Sequence, residues 1–192
     1  MEIKHPNFFM VGVVKGGTTS LHKYLEQHPD IYMSPVKEVN YFSRFDIDES
    51  KFAKAYAHDV DVDLKSYLAG DMKHTIHIAH VTNTNDYYQL FRNVKNEKVI
   101  GEASNSYILY QNAPKEIHKT YPNAKIIMML RNPISRAYSQ YVMNLRLGKT
   151  KEKDFIKEIE QDDNATIKGW GANHQYLYLS LIHISEPTRR HL

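Results

Sequence analysis

Gly12-Val13-Val14-Lys15-Gly16-Gly17-Thr18-Thr19-Ser20 brings together closely spaced glycines, one lysine and three consecutive hydroxyls. These residue types can cradle an anion, because unpaired backbone N–H groups, a helix N-terminus and hydroxyl donors all favour negative charge. A second cationic turn occurs far downstream, in Leu130-Arg131-Asn132-Pro133-Ile134-Ser135-Arg136-Ala137-Tyr138-Ser139. His74, His77 and His80 recur at every third position. On a helix they would share a face and on a strand they would not. No carboxylate stands at ligand spacing within that cluster, so they read as loop or cleft histidines and no metal is expected.

The positioning elements follow from the pattern around each group. Phe8 to Val11 is a β-type apolar run, and a helix is expected from Thr18 to about Gln27, with Leu21, Tyr24 and Leu25 at helical spacing. His28-Pro29 ends it. Lys98 to Ser104 reads as another parallel strand, and Ala113 to Tyr121 as a helix. Lys125 to Leu130 is a continuous apolar run of the kind that lies buried on both faces of a parallel sheet. Asn132 is a good N-cap and Pro133 needs no N–H partner at the first helical position, so a helix should start there. Its expected apolar face is Ile134, Ala137, Tyr138, Tyr141, Val142 and Leu145. Shorter helices are expected at 51–56, 85–91 and 155–161. Strands feeding helices at both cationic turns imply an α/β fold with a central parallel sheet, and Arg131 would then share the Lys15 edge, where such sheets bind ligands.

With 192 residues the chain suits a single domain. A formal charge of +3 does not suggest a duplex-DNA binder. The absence of cysteine excludes disulfides and thiolate metal sites. No run of about 18 apolar residues occurs, and the N-terminus lacks a secretory pattern; a cytoplasmic protein without a transmembrane segment is expected.

Gly12 and Gly17 keep the glycine spacing of the nucleotide-triphosphate loop G-x-x-x-x-G-K-[ST], but Thr18 replaces its lysine. The only lysine in the loop is Lys15. This arrangement resembles the 5′-phosphosulfate loop of the sulfotransferases that use 3′-phosphoadenosine 5′-phosphosulfate (PAPS). The segment from Arg131 to Tyr141 is similar to the 3′-phosphate segment of that family, "LRNPxxRAxSxY". His28-Pro29-Asp30-Ile31 and Lys37-Glu38-Val39-Asn40-Tyr41-Phe42 resemble bacterial and heparan-modifying members. Gly101-Glu102-Ala103-Ser104-Asn105-Ser106-Tyr107 resembles "GEASPxY", with Asn105 in place of proline. Ala103 stands where heparan-modifying relatives often carry lysine, which argues against a heparan acceptor.

The resemblance implies a P-loop-like three-layer α/β fold over 1–178. It also implies cofactor binding by Lys15, Gly16, Gly17, Thr18, Thr19, Ser20, Arg131 and Ser139, catalysis by Lys15 and Glu38, PAPS as donor and no metal. The acceptor would be a hydroxylated small molecule, a saccharide or a lipid, or an amine, with no nucleic acid partner. Glu38 can also be read as a surface glutamate paired with Lys37, Arg131 as a surface residue on a capped core helix, and Glu102 as either a cleft residue or a structural one. A P-loop nucleotide kinase, or a non-catalytic nucleotide-binding fragment, are the alternative functions. Leu179 to Arg189 resembles one reading frame of a sequencing adapter. Residues 179–192 are therefore expected to be a non-native tail. The fold should accordingly be incomplete at the C-terminus, lacking the further strand and basic loop that the family implies after Tyr178.

Overall fold

A computed structural model describes residues 4–177. Five strands, β1 (Phe8–Met10), β2 (Ile31–Glu38), β3 (Ile76–Ile78), β4 (Val99–Ala103) and β5 (Lys125–Ile127), form one sheet in the order β3-β2-β4-β1-β5. Every pairing is parallel. The α-helices are α1 (Thr18–Leu25), α2 (Lys54–Ala57), α3 (Leu64–Ala69), α4 (Thr84–Gln89), α5 (Asn112–Thr120), α6 (Pro133–Arg146) and α7 (Phe155–Asp163). This is the expected α/β architecture. The tail expected at 179–192 lies outside the described residues.

Central β1 has all three residues buried, and Phe8 faces Gly101 of β4 on one side and Lys125 of β5 on the other. Because the strands are parallel, their C-terminal ends emerge at one edge, where the loops after β1, β2, β4 and β5 gather. The core over the sheet is aromatic. Tyr41 stacks on Tyr87 at 4.1 Å between centroids, and Phe42 meets Phe9, Tyr87 and Tyr107 edge-on. Offset-stacked and edge-to-face contacts are the favoured arrangements of aromatic pairs.

Three expectations about burial are corrected. The apolar run from Lys125 is an edge strand, not a doubly buried one: β5 pairs with β1 alone, and Ile126, Ile127, Met128 and Leu130 are exposed. On α6, Ala137 and Tyr141 are buried as expected and Leu145 is partly buried, but Ile134 is 75% exposed and Tyr138 and Val142 also face outward. The inward face carries Arg136, Gln140 and Asn144 instead. A polar network causes this: Arg136 donates to Gln140 Oε1 (2.6 Å) and to the Tyr176 carbonyl (2.5 Å), and Asn144 donates to the Tyr176 hydroxyl (2.8 Å). The Asp162 carboxylate of α7 accepts the N–H groups of His174 and Tyr176, completing the contact. On α1, Tyr24 is exposed and the buried residues are Thr18 and His22, while Leu21 and Leu25 are half-buried.

The three histidines fall on and around β3, so they do not share a face. The His74 ring packs edge-on against Tyr67, His80 Nδ1 meets Glu49, and His77 lies on the strand. Among the described residues no group of three or more metal-ligating side chains is disposed to hold an ion.

Glu102 proves structural. It is fully buried on β4 and accepts hydrogen bonds from the Tyr87 hydroxyl (2.9 Å), the Tyr107 hydroxyl (2.9 and 3.0 Å) and Ser104 Oγ (3.1 Å). Burial raises its pKa to about 7, against the opposing pull of those donors. A carboxyl whose folded-state pKa lies above its unfolded value favours the fold while protonated, and that contribution disappears as pH rises through the folded value. We expect the chain to lose about 2 kcal/mol of stability from this group between pH of about 5.5 and 8. Urea denaturation of Glu102→Gln should show that part of the pH dependence removed.

Candidate active site

The loop after β1 is tied to the chain leaving β5. Val11 N–H donates to the Ile127 carbonyl (3.0 Å), Val13 N–H to the Met129 carbonyl (2.9 Å), and Met129 N–H to the Gly12 carbonyl (2.8 Å). Gly16 N–H then closes a tight turn onto the Val13 carbonyl at 2.9 Å. Two glycines are required here for different reasons. A Cβ on Gly16 would stand 2.4 Å from the Met129 carbonyl oxygen, and Gly17, the N-cap of α1, has φ of 102°. Lys15 itself adopts φ of 64°, uncommon for a residue with a side chain. Beyond Gly17, the first N–H groups of α1 at Thr18 and Thr19 have no acceptor within the helix and remain available to an anion.

The lacing brings the second cationic turn alongside the first. Arg131 donates to the Lys15 carbonyl at 3.3 Å, and the Lys15 ammonium rests 3.6 Å from Met143 Sδ on α6. Asn132 Oδ1 accepts the Ser135 N–H at 3.1 Å and caps α6, as the sequence predicts. The Lys15 pKa is lowered, first by removal from water and then by the nearby charges of Arg146 and Arg131. No carboxylate among the described residues pairs with Lys15 or Arg131. Converging cations without a counter-charge mark a place for an anion.

These groups line a cleft of about 700 Å³, a volume typical of small-molecule sites. Lys15, Gly17, Thr18, Thr19, Ser20, Arg131 and Ser139 contribute to its wall, and Glu38 does so from the end of β2. Gly16 is not among the lining residues; it turns the loop behind them. Glu38 is buried, and its Oε1 accepts from Lys37 Nζ at 2.5 Å. Pairing with Lys37 therefore occurs, but inside the cleft wall rather than on the surface.

Several residues line the cleft beyond those the sequence assigns to cofactor binding or catalysis. Lys37, His77, Lys149, Trp170 and His174 all reach the cleft. Lys149 is paired with Asp59 and lies over the Tyr56 ring. His77 is one of the spaced histidines read as loop or cleft residues, and Lys37 is the partner read for Glu38; the others come from stretches without periodicity.

The family model described as "Sulfotransferase family" matches residues 6–180. This chain belongs to the sulfotransferase family. Its similarity extends to a solved structure, that of a sulfotransferase from Alicyclobacillus acidocaldarius, with 32% identity and a TM-score of 0.75. That likeness covers 95% of this chain and 66% of the other. Among curated relatives, membrane-associated sulfotransferase kil1 of Dictyostelium discoideum is 30% identical over 73% of this chain and 23% of its own length. Human carbohydrate sulfotransferase 15 is 28% identical over 81% and 30%, respectively. Mouse heparan sulfate glucosamine 3-O-sulfotransferase 6 is 28% identical over 74% and 31%. The chain thus spans a third or less of the length of these curated relatives. No helix among the described residues is long and apolar enough to cross a membrane.

The loop geometry predicts that Gly16→Ala destabilises this sulfotransferase-family chain more than Gly17→Ala does. The first puts a methyl against a backbone oxygen, which cannot rotate away, whereas the Gly17 neighbour is the flexible tip of Met129 at 3.3 Å, leaving mainly the cost of φ. We expect a loss of about 2–4 kcal/mol for Gly16→Ala and about 1–2 kcal/mol for Gly17→Ala, measured by chemical denaturation.

Proposed function

We propose that the chain is the nucleotide-binding and catalytic part of a PAPS-dependent sulfotransferase. The observation that carries this reading is the hydrogen bond between the two cationic turns, Arg131 to the Lys15 carbonyl, on the wall of a cleft that Glu38 also lines. A nucleotide with a phosphate at each end of its ribose needs positive charge at two separated points, and a 5′-phosphosulfate needs backbone N–H donors as well. The loop from Lys15 to Ser20 would hold the 5′ end, and Arg131 with Ser139 the 3′ phosphate. PAPS is here a substrate, and the cleft's unpaired cations suit its charge.

Sulfuryl transfer joins an acceptor oxygen or nitrogen to sulfur and breaks the bond from sulfur to the bridging phosphate oxygen, releasing adenosine 3′,5′-bisphosphate. Lys15 would neutralise the charge that builds on the bridging oxygen. Glu38 would take the acceptor's proton, a contribution of about 10²–10⁴-fold for a well-placed base. The remaining help is positional, as in phosphoryl transfer. No metal enters this scheme. Two of the relatives, a carbohydrate sulfotransferase and a heparan sulfate glucosamine 3-O-sulfotransferase, support a saccharide acceptor. The family match does not favour the nucleotide-kinase reading. A cytoplasmic site of action belongs to the same proposal.

Lys15→Ala should lower sulfate transfer at least 10²-fold while leaving thermal unfolding unchanged. Transfer at the wild-type rate would remove Lys15 from the mechanism. Arg131→Ala should weaken PAPS about 10–100-fold, the worth of a charged contact, but leave adenosine 5′-phosphosulfate nearly unaffected. Calorimetric titration of both nucleotides measures this, and equal weakening would contradict the 3′-phosphate assignment.

A further inference from the structure

Both oxygens of the Glu38 carboxylate are engaged, and one residue reaches both of them. The Asn105 backbone N–H donates to Oε2 at 2.6 Å, and the Asn105 side-chain Nδ2 donates to Oε1 at 2.7 Å. Lys37 Nζ adds a third donor, also to Oε1. Asn105 opens the 3₁₀ turn Asn105–Ile108 that follows β4, so the contact joins the ends of two neighbouring strands. A carboxylate only accepts, so the Asn105 amide must present its NH₂ group to Glu38. Its Oδ1 is thereby turned away, and it is buried without a hydrogen-bond partner among the described residues. A purely structural asparagine would have little reason to leave that oxygen unsatisfied.

We propose that Asn105 is a positioning residue that holds the Glu38 carboxylate in one orientation at the cleft wall. The inference rests on the reading of Glu38 as the proton acceptor. Two donors from one short side chain and its own backbone fix both the place and the rotation of the carboxylate. Lys37 contributes charge through a flexible stem and cannot do the same. The other titratable groups that feel Glu38 are His77 on β3 and Glu102 on β4.

Two substitutions in the full chain separate the donors. Asn105→Ala removes the side-chain donor, and Asn105→Pro removes the backbone donor as well. The proline should fold, because position 105 is the first of its turn and the preceding Ser104 is extended, with φ of −142° and ψ of 110°. The expected result is a graded fall in kcat, about 10-fold for Ala and larger for Pro, with KM for PAPS changed less than about 2-fold. In ¹⁵N NMR spectra the Asn105 backbone and side-chain amide signals should shift between the wild-type chain and Glu38→Gln, because both donate to that carboxylate. Unchanged kcat in Asn105→Pro, a loss confined to KM, or Asn105 signals indifferent to Glu38→Gln would each overturn the proposal. Glu38→Gln distinguishes it from the reading beneath it: full turnover in that variant removes Glu38 as the base, whereas an inactive Glu38→Gln beside fully active Asn105 variants removes only the clamp.

Discussion

At Gly12 and Val13 the backbone exchanges hydrogen bonds with Met129, and that short strip decides where two cationic side chains stand. Lys15 lies just after it on one segment, and Arg131 just after it on the other. Neither turn could shift without breaking bonds to the other, so their spacing is inherited from a parallel ladder between β1 and β5. The glycines serve this lacing first. Gly16 lets the loop pass against a carbonyl, and only then can Gly17 start a helix whose open end faces the cleft.

Two buried glutamates show how surroundings divide one residue type into different tasks. Glu102 is enclosed by tyrosine hydroxyls within the aromatic core and is pushed toward the neutral form. Glu38 ends its strand at the cleft, where an ammonium and two amide donors hold its carboxylate. The separation between them is small in sheet terms, since they occupy adjacent strands, yet one side of the sheet edge is dry and the other opens onto a ligand-sized space.

Features governed by local rules were legible in the sequence. The glycine turn, the Asn132 cap, the Pro133 start of α6 and the α/β alternation all depend on a few neighbouring residues, and the structure carries each of them. β2 was not legible because Pro35 interrupts it and its pairing with β4 shifts register between Met33 and Glu38. β3 is three residues long and holds one of the spaced histidines, so nothing in it repeats. The inward face of α6 was misread because hydrophobic periodicity assumes an apolar partner, whereas the 169–177 segment offers the carbonyls of His174 and Tyr176 and the Tyr176 hydroxyl. At the site, Lys15, Arg131 and Glu38 announced themselves by motif, but Lys37, Asn105 and Lys149 meet the cleft only through tertiary contacts.

The polar inner face of α6 has a consequence for how this protein can drift over generations. An oily interface accepts many shapes of similar volume, so neighbouring positions wander almost independently. Arg136, Gln140, Asn144, Glu158 and Tyr176 are instead joined by directional hydrogen bonds, so that exchanging one of them strands a buried donor or acceptor on another. In a saturation library this patch should therefore be among the least permissive in the chain, and its natural variants should change in matched sets.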